Sequence, residues 1–163
     1  MTLARGHLLI IGITALNYAI MLVYSTPTLL SAAEGLLPFD MRVMGYSVED
    51  ATQYVTTITP EGRLFYLEIQ QMLDTFFPTL LALSLMVALF RLAPKLPVLY
   101  LFPVAGALFD YYENAAVAQI LLTNAPDQGL VEMASLLTGL KFASISISVL
   151  AILWFWRKRK ADA

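Results

Sequence analysis

Four stretches of this chain are apolar for long enough to cross a membrane: residues 8–30, 72–92, 97–122 and 133–156. A helix needs about 20 consecutive apolar residues to span a hydrocarbon core of about 30 Å. Charged residues make up 13% of the 163 residues, about half of the share of roughly 25% that soluble domains carry. The sequence therefore predicts an all-α protein, an integral membrane four-helix bundle that forms a single transmembrane domain over residues 1–163.

The first stretch has one alternative interpretation, a secretory signal peptide. Arg5 precedes the stretch, and small residues follow it at positions 31–33, as they do at a cleavage site. The apolar run from Leu8 to Tyr24 is nevertheless longer than the roughly 7–15 residues of a signal peptide's apolar region. We therefore interpret it as the first span.

The charged residues between the stretches predict an orientation. One side of a four-span arrangement holds both termini and most basic residues: Arg5, Arg91, Lys95 and the run 157–160. The other side holds mainly acids: Glu34, Asp40, Glu49, Asp50, Glu61, Asp127 and Glu132, beside Arg42 and Arg63. Because basic loops stay in the cytoplasm, we expect both termini there. The basic tail also suits anionic lipid head groups, although setting the orientation is its simpler role.

The outer loop, residues 31–59, contains a pattern typical of a short amphipathic helix. Ser47 can cap this helix together with Asp50 three positions later. Apolar residues then recur at helical spacing over residues 48–58, so we expect the helix to lie on the outer surface. Thr59 and Pro60 predict the start of a second helix that continues to Leu92.

Ionisable residues inside the predicted spans are the strongest functional signal. Such groups are costly in a bilayer and by default mark a functional site. Asp110, Glu113 and Asn114 project from one side of a helix because their spacing is i, i+3, i+4. We expect a polar pocket in the outer half of the bilayer, and its candidate ligand-binding residues are Asp74, Asp110, Glu113, Asn114, Lys141, Tyr66, Gln70 and Tyr24.

A structural interpretation of the same residues stays open. Lys141 could pair with Asp110 and Glu113 only to fix the register of the helices, because polar residues join helices within membranes. Three acids face one lysine, however, so simple pairing leaves a surplus of acid. At least one carboxyl must then be protonated, hydrated or bound to something else.

Several classes of chemistry are not indicated. The chain has no cysteine, which excludes disulfides and thiolate metal sites. Its one histidine, His7, is interpreted as a solvated residue on the cytoplasmic side. No phosphate-binding loop, zinc-ligand spacing or nucleotide fingerprint is present. We expect no cofactor, no metal and no nucleic-acid partner.

Parts of the chain between residues 40 and 115 resemble a group of small bacterial four-span membrane proteins. The resemblance rests on Gly45-Tyr46-Ser47, Glu61-Gly62-Arg63, Tyr66, Asp74, Phe77-Pro78 and Asp110-Tyr111-Tyr112-Glu113-Asn114. It implies a four-helix membrane fold and a bacterial source, and hence the inner (cytoplasmic) membrane. It carries no catalytic role.

Three functional hypotheses follow. The protein could bind a lipid or another amphipathic ligand, or serve as an accessory subunit of a larger membrane complex. It could be an enzyme acting on a lipid or isoprenoid, with Asp110 or Glu113 as the general acid, Asp74 as the base and Lys141 as an orienting charge. It could be a proton- or cation-coupled transporter, which four spans would form only as a homo-oligomer. Membrane lipids are the expected partners in each case.

Overall fold

The computed structural model describes residues 3–161, and these are all-helical, with 85% of residues in helices and no strand. Five helices follow one another along the chain: α1 (Leu3–Ile20, a π-helical turn Met21–Ser25, and Thr26–Ala32), α2 (Val48–Thr57), α3 (Pro60–Phe65, a π-helical turn Tyr66–Gln70, and Gln71–Leu92), α4 (Leu101–Leu121) and α5 (Gln128–Ala161). Two short 3₁₀ turns, Phe39–Met41 and Pro97–Tyr100, lie in the connections.

Three of these helices are long and apolar enough to cross a membrane: Arg5–Ala32, Pro60–Leu92 and Gln128–Ala161. The third predicted span corresponds to α4, which is helical over Leu101–Leu121 but does not belong to this set. Its central run from Asp110 to Asn114 contains two acids, two tyrosines and an amide, which lower its mean hydropathy. A fourth crossing therefore stays a prediction.

The helix starts agree with the capping residues in the sequence. Ser47 and Asp50 form a reciprocal capping box at the start of α2, which satisfies two otherwise unpaired backbone donors. At the start of α3, the Thr59 hydroxyl accepts a hydrogen bond from the Gly62 N–H, and Pro60 occupies the first helical position. The resulting α3 has 33 residues and is therefore roughly 50 Å long.

The apolar face of α2 packs against the protein itself. Tyr54 is completely buried, and its ring centroid lies 5.0 Å from that of Phe39 and 6.2 Å from that of Tyr66. Ala51 and Val55 of α2 are buried in the same cluster. The predicted helix thus exists, but its apolar side faces this core and not a lipid surface.

The long helices leave a gap on one side of the bundle. α4 and α5 make the most extensive contact, α3 packs against α1, α4 and α5, and α1 packs chiefly along α3. Gly106 lies at the α4–α5 contact, where an added Cβ would lie 3.4 Å from Ile145 Cγ1 and 3.5 Å from Ser144 Cβ. A small residue here lets the two helices approach closely. α1 and α5 make no comparably close contact, and space remains between them.

His7 differs from its sequence interpretation. Its side chain is buried, with the residue only 7% exposed, and Nε2 lies 2.9 Å from the Ser84 carbonyl oxygen of α3. A carbonyl only accepts hydrogen bonds, so Nε2 carries the proton. His7 is therefore a contact between α1 and α3, and the description of it as a solvated residue is wrong.

Candidate functional site

A cavity of about 310 Å³ lies in the gap between α1 and α5. All four long helices and the outer loop contribute to its walls. The residues from α1 and the outer loop are Tyr18, Met21, Leu22, Thr26, Leu29, Pro38, Asp40, Met41 and Val43. The residues from α3, α4 and α5 are Gln70, Asp74, Phe77, Leu81, Asp110, Lys141, Phe142 and Ile145. The walls are mainly apolar, with a few charged and amide groups. This is the composition expected of a small-molecule site, and the volume lies at the lower end of the usual range for such sites.

Lys141 is the only basic residue of the cavity wall among residues 3–161, and it is already paired. Its Nζ lies 3.2 Å from Asp110 Oδ1 and 2.6 Å from Glu113 Oε2. Glu113 is completely buried, and its Oε1 accepts a hydrogen bond of 2.7 Å from the Thr138 hydroxyl. Glu113 does not line the cavity. Lys141 is therefore shared between two carboxyl groups, one on the cavity side and one inside the α4–α5 contact.

Asp40, which the sequence places in the outer loop, is part of the same site. The Tyr66 hydroxyl donates to Asp40 Oδ1 and Gln70 Nε2 donates to Asp40 Oδ2, each at 3.0 Å. The Ser25 hydroxyl in turn donates to Gln70 Oε1 at 2.5 Å. This chain of hydrogen bonds connects the loop to α1 and α3. The sequence identifies Asp40 only as an outer-side charge, and no local pattern indicates this role.

Both π-helical turns border the cavity. Met21 and Leu22, from the turn in α1, and Gln70, from the turn in α3, all line its wall. The two turns contact each other through the Ser25–Gln70 hydrogen bond. A π-helical turn inserts one residue into a helix and is often found at functional sites. Here the turn in α3 directs Tyr66 and Gln70 to Asp40, and the turn in α1 directs Ser25 to Gln70.

Asp74 is the unpaired acid of the cavity. The residue is 4% exposed and lines the wall beside Asp110 and Lys141. Within residues 3–161, no group donates a hydrogen bond to its carboxyl and no cation lies within ion-pair distance. The backbone carbonyl of Asp74 also lacks its usual helical donor, because Pro78, four positions later in α3, has no N–H. A buried carboxyl without a partner is costly, so a bound group that donates to Asp74 would stabilise it.

The structure does not bring every candidate residue to the cavity. Tyr24 is 56% exposed and packs edge-to-face against Phe65. Asn114 does not line the cavity, and its backbone carbonyl oxygen accepts a hydrogen bond of 2.9 Å from the Gln71 side chain. Tyr66 reaches the site only through Asp40. Of the eight candidates, Asp74, Asp110, Lys141 and Gln70 line the cavity.

Two buried tyrosines, Tyr46 of the outer loop and Tyr54 of α2, lie near Asp40 but do not line the cavity. Burial raises the pKa of Tyr46 well above its ordinary value, and the carboxylates of Glu113 and Asp40 raise it further. Burial and then Asp40 likewise raise the pKa of Tyr54. Both phenols therefore stay neutral at physiological pH and add no negative charge to this acidic region.

Fold and site together describe a helical protein with three membrane-length apolar helices and a cavity whose charged residues are acidic apart from one paired lysine. No group of three or more His, Asp or Glu side chains in the described part of the chain could hold a metal ion. Comparisons of the chain with protein-family models, with curated proteins and with solved structures found no match.

Proposed function

We propose that this is a multi-pass membrane protein that binds a lipid or another amphipathic ligand in the cavity between α1 and α5. One observation carries the proposal: a buried acid without a partner, Asp74, lies in the wall of an otherwise largely apolar cavity. The cavity supplies a polar group for the head of such a ligand and apolar walls for the chain that follows. Acting as the ligand-binding subunit of a larger membrane complex is compatible with the same site.

The apolar walls support a ligand with a hydrocarbon part. The rings of Tyr18 of α1 and Phe77 of α3 stack with their centroids 5.6 Å apart, and both residues line the cavity together with Leu22, Leu81 and Ile145. Tyr18 and Leu22 are 52% and 46% exposed on the bundle surface, where a membrane would provide acyl chains. A ligand whose head lies at Asp74 can therefore pass its tail out between α1 and α5.

The balance of charge favours a head group that donates hydrogen bonds and carries positive charge. Asp40, Asp74 and Asp110 all line the cavity. Lys141 is shared between Asp110 and Glu113, and Asp40 is bonded to Tyr66 and Gln70. Asp74 thus remains available for an amine. An amine–carboxylate hydrogen bond in a dry site is among the stronger polar contacts.

We further propose that the chain crosses a bacterial inner membrane four times, with both termini in the cytoplasm. The polar residues of α4 support its burial in the bundle, because Asp110 and Glu113 both meet Lys141 of α5 and so need not face lipid. Trp154 and Trp156 are exposed near the basic end of α5, as expected at a membrane interface.

Native mass spectrometry of the gently solubilised protein tests the ligand. We expect a retained lipid-sized mass, and we expect Asp74→Asn to weaken its retention by roughly 10- to 100-fold, the usual effect of losing a hydrogen bond to a charged group. Glu68→Gln is the matched control, because Glu68 is exposed on the same helix and does not line the cavity. Equal retention in both variants would refute the site. A bare protein held only by other polypeptides would favour the accessory-subunit role.

An enzyme acting on a lipid or isoprenoid is the second candidate function. The observation that favours it is that two carboxyl groups, Asp74 and Asp110, line one cavity beside the Lys141 charge. Asp110 would then serve as the acid and Asp74 as the base. An identified turnover that persists in the Asp110→Asn and Asp74→Asn variants would eliminate this candidate. The transport hypothesis additionally requires an oligomer, which the mass measured in detergent would reveal.

A further inference from the structure

A second cavity, of about 540 Å³, lies at the opposite end of the long helices. It is lined by His7 from the start of α1, by Ala88, Arg91 and Leu92 from the end of α3, and by Trp156, Arg159 and Lys160 from the end of α5. We call it the basic cavity. Three separate helices contribute to it, so it is a concave site that only the folded bundle creates.

The charges of the basic cavity are all of one sign. Arg91, Arg159 and Lys160 line it, and no acid among the described residues does. Within the described part of the chain, none of these three cations lies within ion-pair distance of a carboxylate. Like charges gathered in one concave site repel each other and concentrate anions. The cavity is therefore suited to an anion that contacts several cations at once.

His7 gives Arg91 a fixed position in this cavity. The proton of His7 lies on Nε2, which donates to the Ser84 carbonyl oxygen at 2.9 Å. The other ring nitrogen, Nδ1, lies 3.3 Å from Arg91 Nη1 and can accept its hydrogen. The buried histidine thus orients the guanidinium, and no other side chain in the described part of the chain occupies its remaining donors. A planar guanidinium with free donors matches the oxygens of a phosphate group.

The surroundings of the basic cavity indicate a membrane-bound source for that phosphate. Leu8 of α1, Phe90 of α3 and Trp154 of α5 are 67%, 55% and 69% exposed near this end. The Lys160 Nζ lies 4.1 Å from the centroid of the Trp156 ring, so a cation and an aromatic ring lie together as they do at the head-group level. An acyl chain can therefore follow the apolar helix surfaces while its phosphate lies in the cavity.

We propose that the basic cavity binds the phosphate of an anionic phospholipid. The inference rests on the membrane location proposed above but does not depend on the Asp74 cavity. Basic residues at helix C-termini also interact favourably with the helix dipole, and basic tails attract anionic membranes without any specific site. A discriminating test must separate the residues that line the cavity from those that only add charge.

The chain itself supplies matched controls. Arg157 and Lys158 belong to the same basic run as Arg159 and Lys160 but do not line the cavity. Lys95 lies just beyond α3, is exposed, and does not line the cavity either. The pair Arg159→Gln/Lys160→Gln is therefore compared with Arg157→Gln/Lys158→Gln, and Arg91→Gln is compared with Lys95→Gln. Each comparison removes equal charge.

The measurement is native mass spectrometry of the purified full chain with equal amounts of phosphatidylglycerol and phosphatidylcholine. We expect the unaltered protein to retain phosphatidylglycerol preferentially. A direct ion pair between a partly exposed cation and the lipid phosphate contributes up to about fivefold in affinity, so we expect Arg159→Gln/Lys160→Gln to reduce retention by about tenfold or more. Arg91→Gln should reduce it by about fivefold, and both controls by less than about twofold.

Several outcomes would overturn the proposal. Equal losses in the lining and control variants would show that only general charge attracts the lipid. Competition by glycerol 3-phosphate as effective as that of the lipid would assign the cavity to a free phosphate ester. Asp74→Asn should leave phosphatidylglycerol retention unchanged, which distinguishes failure of this inference from failure of the proposed function.

Discussion

Replacing Lys141 by methionine removes the charge that connects α4 to α5 while keeping a side chain of similar length. Lys141 is 5% exposed, and its Nζ lies 3.2 Å from Asp110 Oδ1 and 2.6 Å from Glu113 Oε2. In the Lys141→Met variant two buried carboxyl groups lose their cation together. We expect this substitution to be among the most destabilising in the protein.

The magnitude follows from the distances. At an effective dielectric constant of about 20, a pair of unit charges at these separations attracts by roughly 5–6 kcal/mol. The cost of removing the ions from water offsets much of that attraction. Breaking a buried pair by removing one partner nevertheless costs about 3–5 kcal/mol, because the remaining charge is uncompensated. We expect a loss in this range for Lys141→Met.

A mutant cycle that treats the two acids as one site checks the reason for the loss. Glu113 is completely buried and Asp110 is 3% exposed, so neutralising them should remove the uncompensated charge that Lys141→Met leaves behind. We expect the triple variant Lys141→Met/Asp110→Asn/Glu113→Gln to recover at least half of the lost stability. Unfolding by denaturing detergent, followed by circular dichroism, measures each variant. Lys95→Met, at an exposed position, is the control.

Two results would refute this reasoning. A loss below about 1 kcal/mol in Lys141→Met would mean that the pair contributes no more than an exposed one. An unchanged loss in the triple variant would mean that methionine packs poorly at position 141, and that charge has little to do with the effect.

Three further predictions concern the outer loop and its neighbours. Gly45 has φ +84°, and an added Cβ would lie 2.6 Å from Ser135 Oγ. Gly45→Ala should therefore lower the free energy of unfolding by about 1–3 kcal/mol. An unchanged melting temperature would contradict this prediction. The backbone N–H of Ser47, and then its hydroxyl, hold the pKa of Asp50 below its ordinary value. The ionised Asp50 therefore stabilises α2 above about pH 4, a contribution lost on acidification, and Asp50→Asn should speed hydrogen exchange in α2 at neutral pH but not at low pH. Arg63 donates to the Leu121 carbonyl at 2.7 Å and to the Val55 carbonyl at 2.5 Å, so Arg63→Gln should cost about 1.5–3 kcal/mol in detergent unfolding, whereas Arg63→Lys should recover only part of it.

The helices and their starts can be predicted from sequence because the interactions that decide them are local. Apolar runs indicate α1, α3 and α5, and the capping residues Ser47 and Thr59 act within three positions of themselves. The burial of α2 cannot be predicted in this way. The partner of its apolar face is Phe39, which belongs to the preceding loop, and no spacing in the sequence indicates that contact.

The site is predictable only where it lies on regular helices. The spacing of Asp110 and Glu113 on α4 correctly directs both towards one neighbour, Lys141 on α5. Asp40 cannot be found this way, because it enters the site through a 3₁₀ turn positioned by aromatic packing. The extra residue in each π-helical turn changes the direction in which Tyr24 and Gln70 project from their helices, compared with a regular α-helix. Of these two residues, only Gln70 lines the cavity.

The surplus of acid that the sequence leaves unresolved becomes interpretable once each carboxyl is assigned its own neighbours. Glu113 is held by Lys141 and Thr138 inside the α4–α5 contact, so the structural interpretation describes this residue well. Asp74 is also a carboxylic acid with comparable burial, yet it lies in the cavity wall without a donor among the described residues. The proposed functional pocket and the structural network are therefore not competing descriptions of one cluster. They apply to different acids, and Lys141, which contacts Glu113 and Asp110 while lining the cavity, is where the two meet.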